Sequence, residues 1–126
     1  MDFELKVTTK QNVTVVYCRG RLVFGPEATE FTRAVRQVLG VAKEIVLQMA
    51  DVTHIDSSGV GALGAAFTTA HKREAEIKLA ALHPRVVEVL RITGLELLFD
   101  IRKSESEAVA AFLAKEKPAV ILEGML

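Results

Sequence analysis

A short apolar run at residues 45–49 (Ile-Val-Leu-Gln-Met) constrains the fold of this chain more than any other part of its sequence. Runs of this kind are typical of a central strand that is covered on both faces of a sheet. Segments with a helical spacing of apolar residues precede and follow it, and they can supply the crossover helices. The sequence therefore predicts an α/β domain with helices packed on one sheet.

The other segments complete this sheet. Residues 3–9 alternate apolar and polar side chains, residues 13–19 are β-branched and aromatic, and Gln11-Asn12 between them predicts a hairpin turn. Ser104, followed three residues later by Glu107, forms a capping box that predicts the start of a last helix. We expect a mixed β-sheet of about five strands with about four helices, in the order ββαβαβαβα. The predicted elements are strands at 3–9, 13–19, 45–49, 77–82 and 97–101, and helices at 26–40, 57–73, 84–93 and 104–114.

Length and charge limit the classes of function. The chain has 126 residues, enough for one compact domain, with 16 basic and 16 acidic side chains. The net charge is zero and no Lys/Arg run is present, so the chain has no strong positive electrostatic field to attract an anionic partner. Neither nucleic acid nor a membrane is therefore expected as a partner. Cys18 is the single cysteine, and its apolar surroundings predict a buried core thiol. No signal peptide is recognisable at the start, so we expect a cytoplasmic protein. A core of the size this chain can bury needs no metal to hold it, and no cofactor is expected.

The last residues differ in composition from the rest of the chain. The domain is expected to occupy residues 1–117, and the apolar tail at 118–126 is left unplaced. This tail could cover an edge of the sheet, pair with a second chain or be disordered. A homodimer is therefore one of the arrangements left open.

The polar segment at residues 51–63 (DVTHIDSSGVGAL) carries the chemistry of the sequence. It follows the central strand and opens the second helix, so its polar residues are expected at the carboxyl edge of the sheet. Binding sites of sheets with crossover helices commonly lie at that edge. Asp56 or Ser57 is expected to be the helix N-cap. Gly59 and Gly61 are poor helix formers, each costing about 1 kcal/mol relative to alanine, which indicates that something approaches the backbone closely.

Two interpretations of this segment are open from chemistry alone. In the first, the serines only satisfy the free amides of a well-capped helix. In the second, a serine at the helix N-terminus accepts a phosphoryl group, which the free N–H groups and the positive end of the helix dipole tolerate. The added charge of about −2 beside Asp56 would then repel a docking partner.

Residues 55–61 (IDSSGVG) resemble the D-S-[ST]-G-x-G signature of STAS domains, the sulphate transporter and anti-sigma factor antagonist family. The resemblance extends over nearly the whole chain. It includes an apolar strand that ends at Gly20, an E-x-x-x-F pattern from Glu27 to Phe31, and residues 84–95 (PRVVEVLRITGL), which are similar to the family's P-x-V-x-x-x-L-x-x-x-G-L segment.

The resemblance implies that the protein is an anti-sigma factor antagonist and not an enzyme. In the bacterial anti-anti-sigma members, the serine directly after the aspartate is phosphorylated by an anti-sigma factor that is itself a serine kinase. By that match the phosphoacceptor is Ser57, and the unphosphorylated protein captures the anti-sigma factor and frees its sigma factor. The residues expected to bind the partner are Asp56, Ser57, Ser58, Gly59, Gly61, Arg21 and Val23.

One departure from the family pattern concerns the loop after the second strand. Family members often carry Gly-Glu-Leu-Asp there, with the aspartate near the acceptor. This chain reads Gly20-Arg21-Leu22-Val23-Phe24-Gly25, so basic and apolar residues replace the usual acids. The departure affects which kinase can recognise this chain and how strongly the partner docks.

Other classes of function have weaker support. A non-switching STAS adaptor, in a stress-signalling complex or beside a transporter, is the main alternative. A hydrolase could be imagined from Ser57, His54 and Asp51, but the G-x-S-x-G elbow is missing. No P-loop is present, and the three histidines share no metal-ligand spacing with each other or with Cys18. A carrier of a small ligand would need a sizeable apolar pocket, of which the sequence gives no sign.

Overall fold

The computed structural model describes residues 3–114 as a single α/β domain. The five strands form one sheet in the order β1-β2-β3-β4-β5, in which β1 and β2 are antiparallel and the other neighbours are parallel. A 3-10 helix at Leu95–Leu97 precedes the last strand. In chain order the elements are β1 (Glu4–Lys10), β2 (Val13–Leu22), α1 (Pro26–Leu39), β3 (Glu44–Ile55), α2 (Ser57–Lys72), β4 (Glu76–Ala80), α3 (Pro84–Thr93), β5 (Asp100–Arg102) and α4 (Glu105–Ala114).

This arrangement confirms the predicted fold class and element order. The hairpin turn between β1 and β2 has positive φ angles at Gln11 (53°) and Asn12 (72°), as a type I′ turn requires. The φ of Gly94 is 79°, the left-handed conformation that ends α3. The hydroxyl of Ser104 accepts a hydrogen bond from the Glu107 N–H at 3.1 Å, so the predicted cap of α4 is present.

The central run is buried on both faces, as predicted. Ile45 and Leu47 point into the larger core, which α1, α2 and α3 cover through residues such as Phe31, Leu63 and Leu90. On the opposite face Val46 packs with β2 residues and with α4, in the cluster formed by Val13, Val15, Ala80, Ala108, Val109 and Phe112. Three helices therefore cover one face of the sheet and one helix covers the other.

Four predicted strand boundaries are wrong by two residues or more, one of them at the end of β4, which is Ala80 instead of residue 82. β3 extends to Ile55 instead of ending at residue 49, because it pairs along the length of the ten-residue β2 through two register irregularities. For the same reason β2 continues to Leu22, so Arg21 lies in the strand and pairs with His54 instead of lying in the following loop. The predicted strand at 97–101 is a 3-10 turn followed by the shorter β5, which begins at Asp100. The predicted tail at 118–126 and the domain end at 117 lie outside the described residues.

A buried cation connects the last two strands under α4. The side chain of Lys78 is almost fully buried, and its Nζ lies 2.8 Å from Glu76 Oε2, 2.8 Å from Asp100 Oδ2 and 4.5 Å from the centre of the Phe112 ring. Burial by itself would lower the pKa of Lys78, but the hydrogen bonds to Asp100 and Glu76 outweigh it and raise that pKa. These contacts explain why so short and polar a segment forms β5.

Asp100→Asn should lower the free energy of unfolding by about 2 kcal/mol at neutral pH, since charge-assisted hydrogen bonds are lost. Hydrogen bonds from Arg102, and then from Lys78, lower the pKa of Asp100 to about 2 from its usual 3.8. Because the folded-state pKa is lowered, the stabilisation is fully present above the usual pKa and is lost as the pH falls through the folded one. Urea denaturation between neutral pH and about pH 2 should show this dependence in the wild type and less of it in Asp100→Asn. An unchanged acid dependence in Asp100→Asn would contradict the prediction, and Asp51→Asn on β3 is the control.

Candidate functional site

The Asp56 carboxylate organises the carboxyl edge of the sheet. Asp56 has extended backbone and is the N-cap of α2, where its Oδ1 accepts a hydrogen bond from the Gly59 N–H at 3.0 Å. Its Oδ2 accepts a second hydrogen bond, also at 3.0 Å, from the Phe24 N–H in the loop between β2 and α1. One side chain therefore joins the start of α2 to that loop.

These hydrogen bonds also set the charge of Asp56. The Phe24 N–H has the largest effect, and with the amides of Gly59 and Ser58 it lowers the pKa of the carboxyl below its usual value against the opposing effect of burial. The carboxylate is thus ionised at neutral pH. A fixed negative charge lies directly before the candidate phosphoacceptor in the chain.

Ser57 is the first residue of α2, and its side chain is exposed. Because Asp56 provides the cap, the hydroxyl of Ser57 is not needed for that role, and within residues 3–114 no hydrogen bond engages it. Ser58 is half-buried and lines an open groove between α1 and α2. Simple helix capping therefore explains Asp56 but leaves Ser57 unexplained.

The two glycines of the motif have different surroundings. A Cβ atom on Gly59 would lie 2.2 Å from the carbonyl oxygen of Leu22 and 2.7 Å from Cγ1 of Ile55. A Cβ atom on Gly61 would meet nothing within 4 Å. The close approach expected from the sequence is thus a contact inside the domain at Gly59, where α2 packs on the end of β2, while Gly61 lies on an open surface.

The loop between β2 and α1 is held at several points along its backbone. The Leu22 carbonyl accepts from the Asp56 N–H at 3.4 Å, and the Val23 carbonyl accepts from the Ala28 N–H at 3.2 Å. Gly25 has a φ of 116°, a conformation that favours glycine. Val23 is half-buried in this loop, whereas Arg21, in the strand before it, is exposed.

Phe24 is the residue of this site that the sequence analysis did not select. Its side chain is 80% exposed, although its backbone N–H is held by Asp56. A large aromatic residue between the end of an apolar strand and a Gly-Pro turn was the available signal. In the sequence it belongs to the segment that departs from the family's acidic loop.

The alternative chemistries gain no support from the geometry. His54 Nδ1 lies 2.9 Å from Thr53 Oγ1 and its Nε2 lies 3.2 Å from an Arg85 guanidinium nitrogen, so both ring nitrogens are engaged by residues other than Ser57. The described residues contain no group of His, Cys, Asp and Glu side chains able to hold a metal ion. Burial raises the pKa of the Cys18 thiol to about 12, which keeps it protonated.

A helix start capped by Asp56, with the exposed Ser57 beside a loop whose backbone is held, lies at the carboxyl edge of the sheet of this α/β domain. The chain belongs to the STAS domain family, whose model matches residues 4–108. Among curated proteins it is similar to the anti-sigma-B factor antagonists of Listeria monocytogenes and Listeria innocua, with 33% identity over 73 residues. The match spans 56% of this chain and 64% of each relative, which is less than two thirds of their length.

Solved structures show the same fold. An anti-sigma factor antagonist from Mycobacterium paratuberculosis has a TM-score of 0.76 at 20% identity, covering 87% of this chain and 93% of that one. The phosphorylated form of SpoIIAA from Bacillus has a TM-score of 0.67 at 18% identity, covering 88% and 99%. A sulfate transporter family protein from Wolinella succinogenes has a TM-score of 0.68 at 22% identity, covering 82% and 87%. At these identities the likeness establishes the fold alone.

The helices of the domain are short in relation to a bilayer. In the part of the chain from residue 3 to residue 114, none combines the length and the apolar character that crossing a membrane requires.

Proposed function

We propose that this protein is an anti-sigma factor antagonist that works by reversible binding in the cytoplasm, without enzymatic activity or a cofactor. In its unphosphorylated form it binds an anti-sigma factor of the serine-kinase type and so releases a sigma factor. Phosphorylation of Ser57 by that kinase ends the binding. The observation that carries the proposal is the exposed Ser57 hydroxyl, free of any capping role, next to the ionised carboxylate of Asp56.

The geometry supports a switch that acts by charge. A phosphoryl group on Ser57 would lie at the N-terminus of α2, where the positive end of the helix dipole favours an anion. It would add a charge of about −2 beside Asp56, and a partner docked at this edge would meet that charge without a large change of fold. The partner-binding surface then comprises Asp56, Ser57, Ser58, Gly59 and Gly61, with Arg21 and Val23 at its margin.

A second candidate is a STAS adaptor that does not switch, in a stress-signalling complex or beside a transporter. The observation that favours it is the segment at residues 20–25, where the basic Arg21 and then apolar residues such as Val23 stand in place of the acidic pattern that the resemblance implies. In this case the same edge would bind a partner constitutively, and Ser57 would not be modified.

Incubation with ATP and an extract of the native host should place a single phosphate on the peptide that contains Ser57. Peptide mass mapping detects it, and Ser57→Ala should abolish it. Ser106, exposed in the first turn of α4, is the internal control for non-specific phosphorylation. If Ser57 stays unmodified while the extract phosphorylates a known substrate, the switch is wrong and the adaptor is favoured.

A further inference from the structure

We propose that Phe24 is the apolar anchor of the docking surface and that it inserts into an apolar pocket on the anti-sigma factor. This assignment rests on the function proposed above. The family pattern implies an acidic contact from this loop, and the proposed contact through Phe24 is apolar instead. This difference determines which anti-sigma factor the chain can recognise.

Phe24 is the one phenylalanine of the chain whose side chain is exposed. Phe24 is 80% exposed, whereas Phe31, Phe99 and Phe112 are at most 7% exposed. An aromatic side chain that the core does not use contributes nothing to folding by burial. Phenylalanine is enriched in the cores of protein interfaces, where an aromatic side chain buries a large apolar area.

The backbone under Phe24 is fixed before any partner arrives. Its N–H donates to Asp56 Oδ2, and the carbonyls of its two preceding residues, Leu22 and Val23, accept from Asp56 and Ala28. Docking therefore needs to order only the two side-chain torsions of the phenylalanine and not the loop itself. Such pre-organisation lowers the entropic cost of association.

The position of Phe24 makes its surface continuous with the candidate switch. The Asp56 carboxylate that holds the Phe24 backbone also caps α2, directly before Ser57. A partner that covers the ring of Phe24 would therefore lie next to a phosphoryl group on Ser57. The anchor would supply affinity, and the serine would control it.

The positive charge of Arg21 predicts a further property of the pocket on the anti-sigma factor. Arg21, at the end of the strand that leads into this loop, is exposed and takes part in no ion pair within residues 3–114. The pocket is therefore expected to be apolar with a carboxylate on its rim. A second copy of this chain fits less well, because a twofold contact through Phe24 would bring two copies of Arg21 together.

Calorimetric titration against the purified serine-kinase anti-sigma factor of the same genome tests this anchor. Phe24→Ala should weaken binding at least about 30-fold, the loss typical of a hot-spot residue. The control is Leu97→Ala, which truncates an apolar side chain that is 85% exposed in the 3-10 helix, and it should bind within about twofold of the wild type. Arg21→Glu should weaken binding by about tenfold at low salt. Thermal unfolding should show that all three variants fold as the wild type does.

The possible outcomes separate the two proposals. If the wild type fails to bind this anti-sigma factor, the proposed function falls and the anchor falls with it. If the wild type binds and Phe24→Ala binds equally well, the function stands and the anchor is wrong. If the wild type is a dimer in sedimentation and Phe24→Ala is a monomer, Phe24 belongs to a contact between copies, which also overturns the assignment.

Discussion

Ser57→Asp should bind the anti-sigma factor at least about a hundredfold more weakly than the wild type, while Ser57→Ala should bind as the wild type does. The aspartate places a permanent charge at the first residue of α2, directly after the ionised Asp56. Like charges brought together at an interface cost several kcal/mol, and a hundredfold loss corresponds to about 2.7 kcal/mol. Ser57→Ala removes only an exposed hydroxyl that makes no hydrogen bond in the described part of the chain.

Both variants should remain folded, because the capping of α2 depends on Asp56 and not on Ser57. Ser106→Asp is a matched control, since it adds the same charge to an exposed serine in the first turn of another helix, on the opposite face of the sheet. It should leave binding unchanged. If Ser57→Asp bound as tightly as the wild type, charge repulsion could not be the basis of the switch. If Ser106→Asp weakened binding as much as Ser57→Asp, net charge and not the site would control affinity.

The order of elements could be predicted from the sequence because its signals are local. The apolar run at 45–49, the Gln11-Asn12 turn and the capping residues of α4 each depend on neighbours in the chain. The family could be predicted for the same reason, because the segment at 55–61 is contiguous. These features are confirmed by the fold and by the family match.

The strand boundaries that are predicted wrongly from the sequence depend on contacts between distant segments of the chain. Residues 50–55 contain Asp51, Thr53 and His54, whose polarity does not indicate a strand, and their pairing with β2 determines their conformation. β5 is only three residues long, and Asp100 is held by Lys78, 22 positions earlier in the chain. No pattern of neighbouring residues contains that information.

The candidate site could be predicted as a segment but not as a geometry. The sequence left the cap open between Asp56 and Ser57, and the structure assigns it to Asp56. The hydrogen bond from the Phe24 N–H to Asp56 spans 32 positions, so the anchoring of the loop could not be foreseen. The phosphoacceptor role of Ser57 itself stays a prediction.

Gly59 and Gly61 show most clearly that the geometry of the site cannot be predicted from the sequence, since the two residues look equivalent in the sequence. Their difference arises from the end of β2, whose Leu22 carbonyl lies against the backbone of α2 at Gly59 and not at Gly61. The two alanine variants therefore form a matched pair within one helix. They add the same methyl group, one to a closed position and one to an open position.

Gly59→Ala should lower the free energy of unfolding by about 3 kcal/mol, whereas Gly61→Ala should leave it unchanged or raise it by up to about 1 kcal/mol. At Gly59 the added Cβ meets backbone 2.2 Å away, so the start of α2 must move off β2, and Ser57 must move with it. At Gly61 the added methyl group meets no other atom, so only the higher helix propensity of alanine changes the free energy of unfolding. Because the chain has no tryptophan, urea denaturation followed by far-ultraviolet circular dichroism is the suitable measurement. Equal stability of the two variants would mean that α2 does not pack closely on β2, and the rigid link between Ser57 and the loop that carries Phe24 would then lose its structural basis.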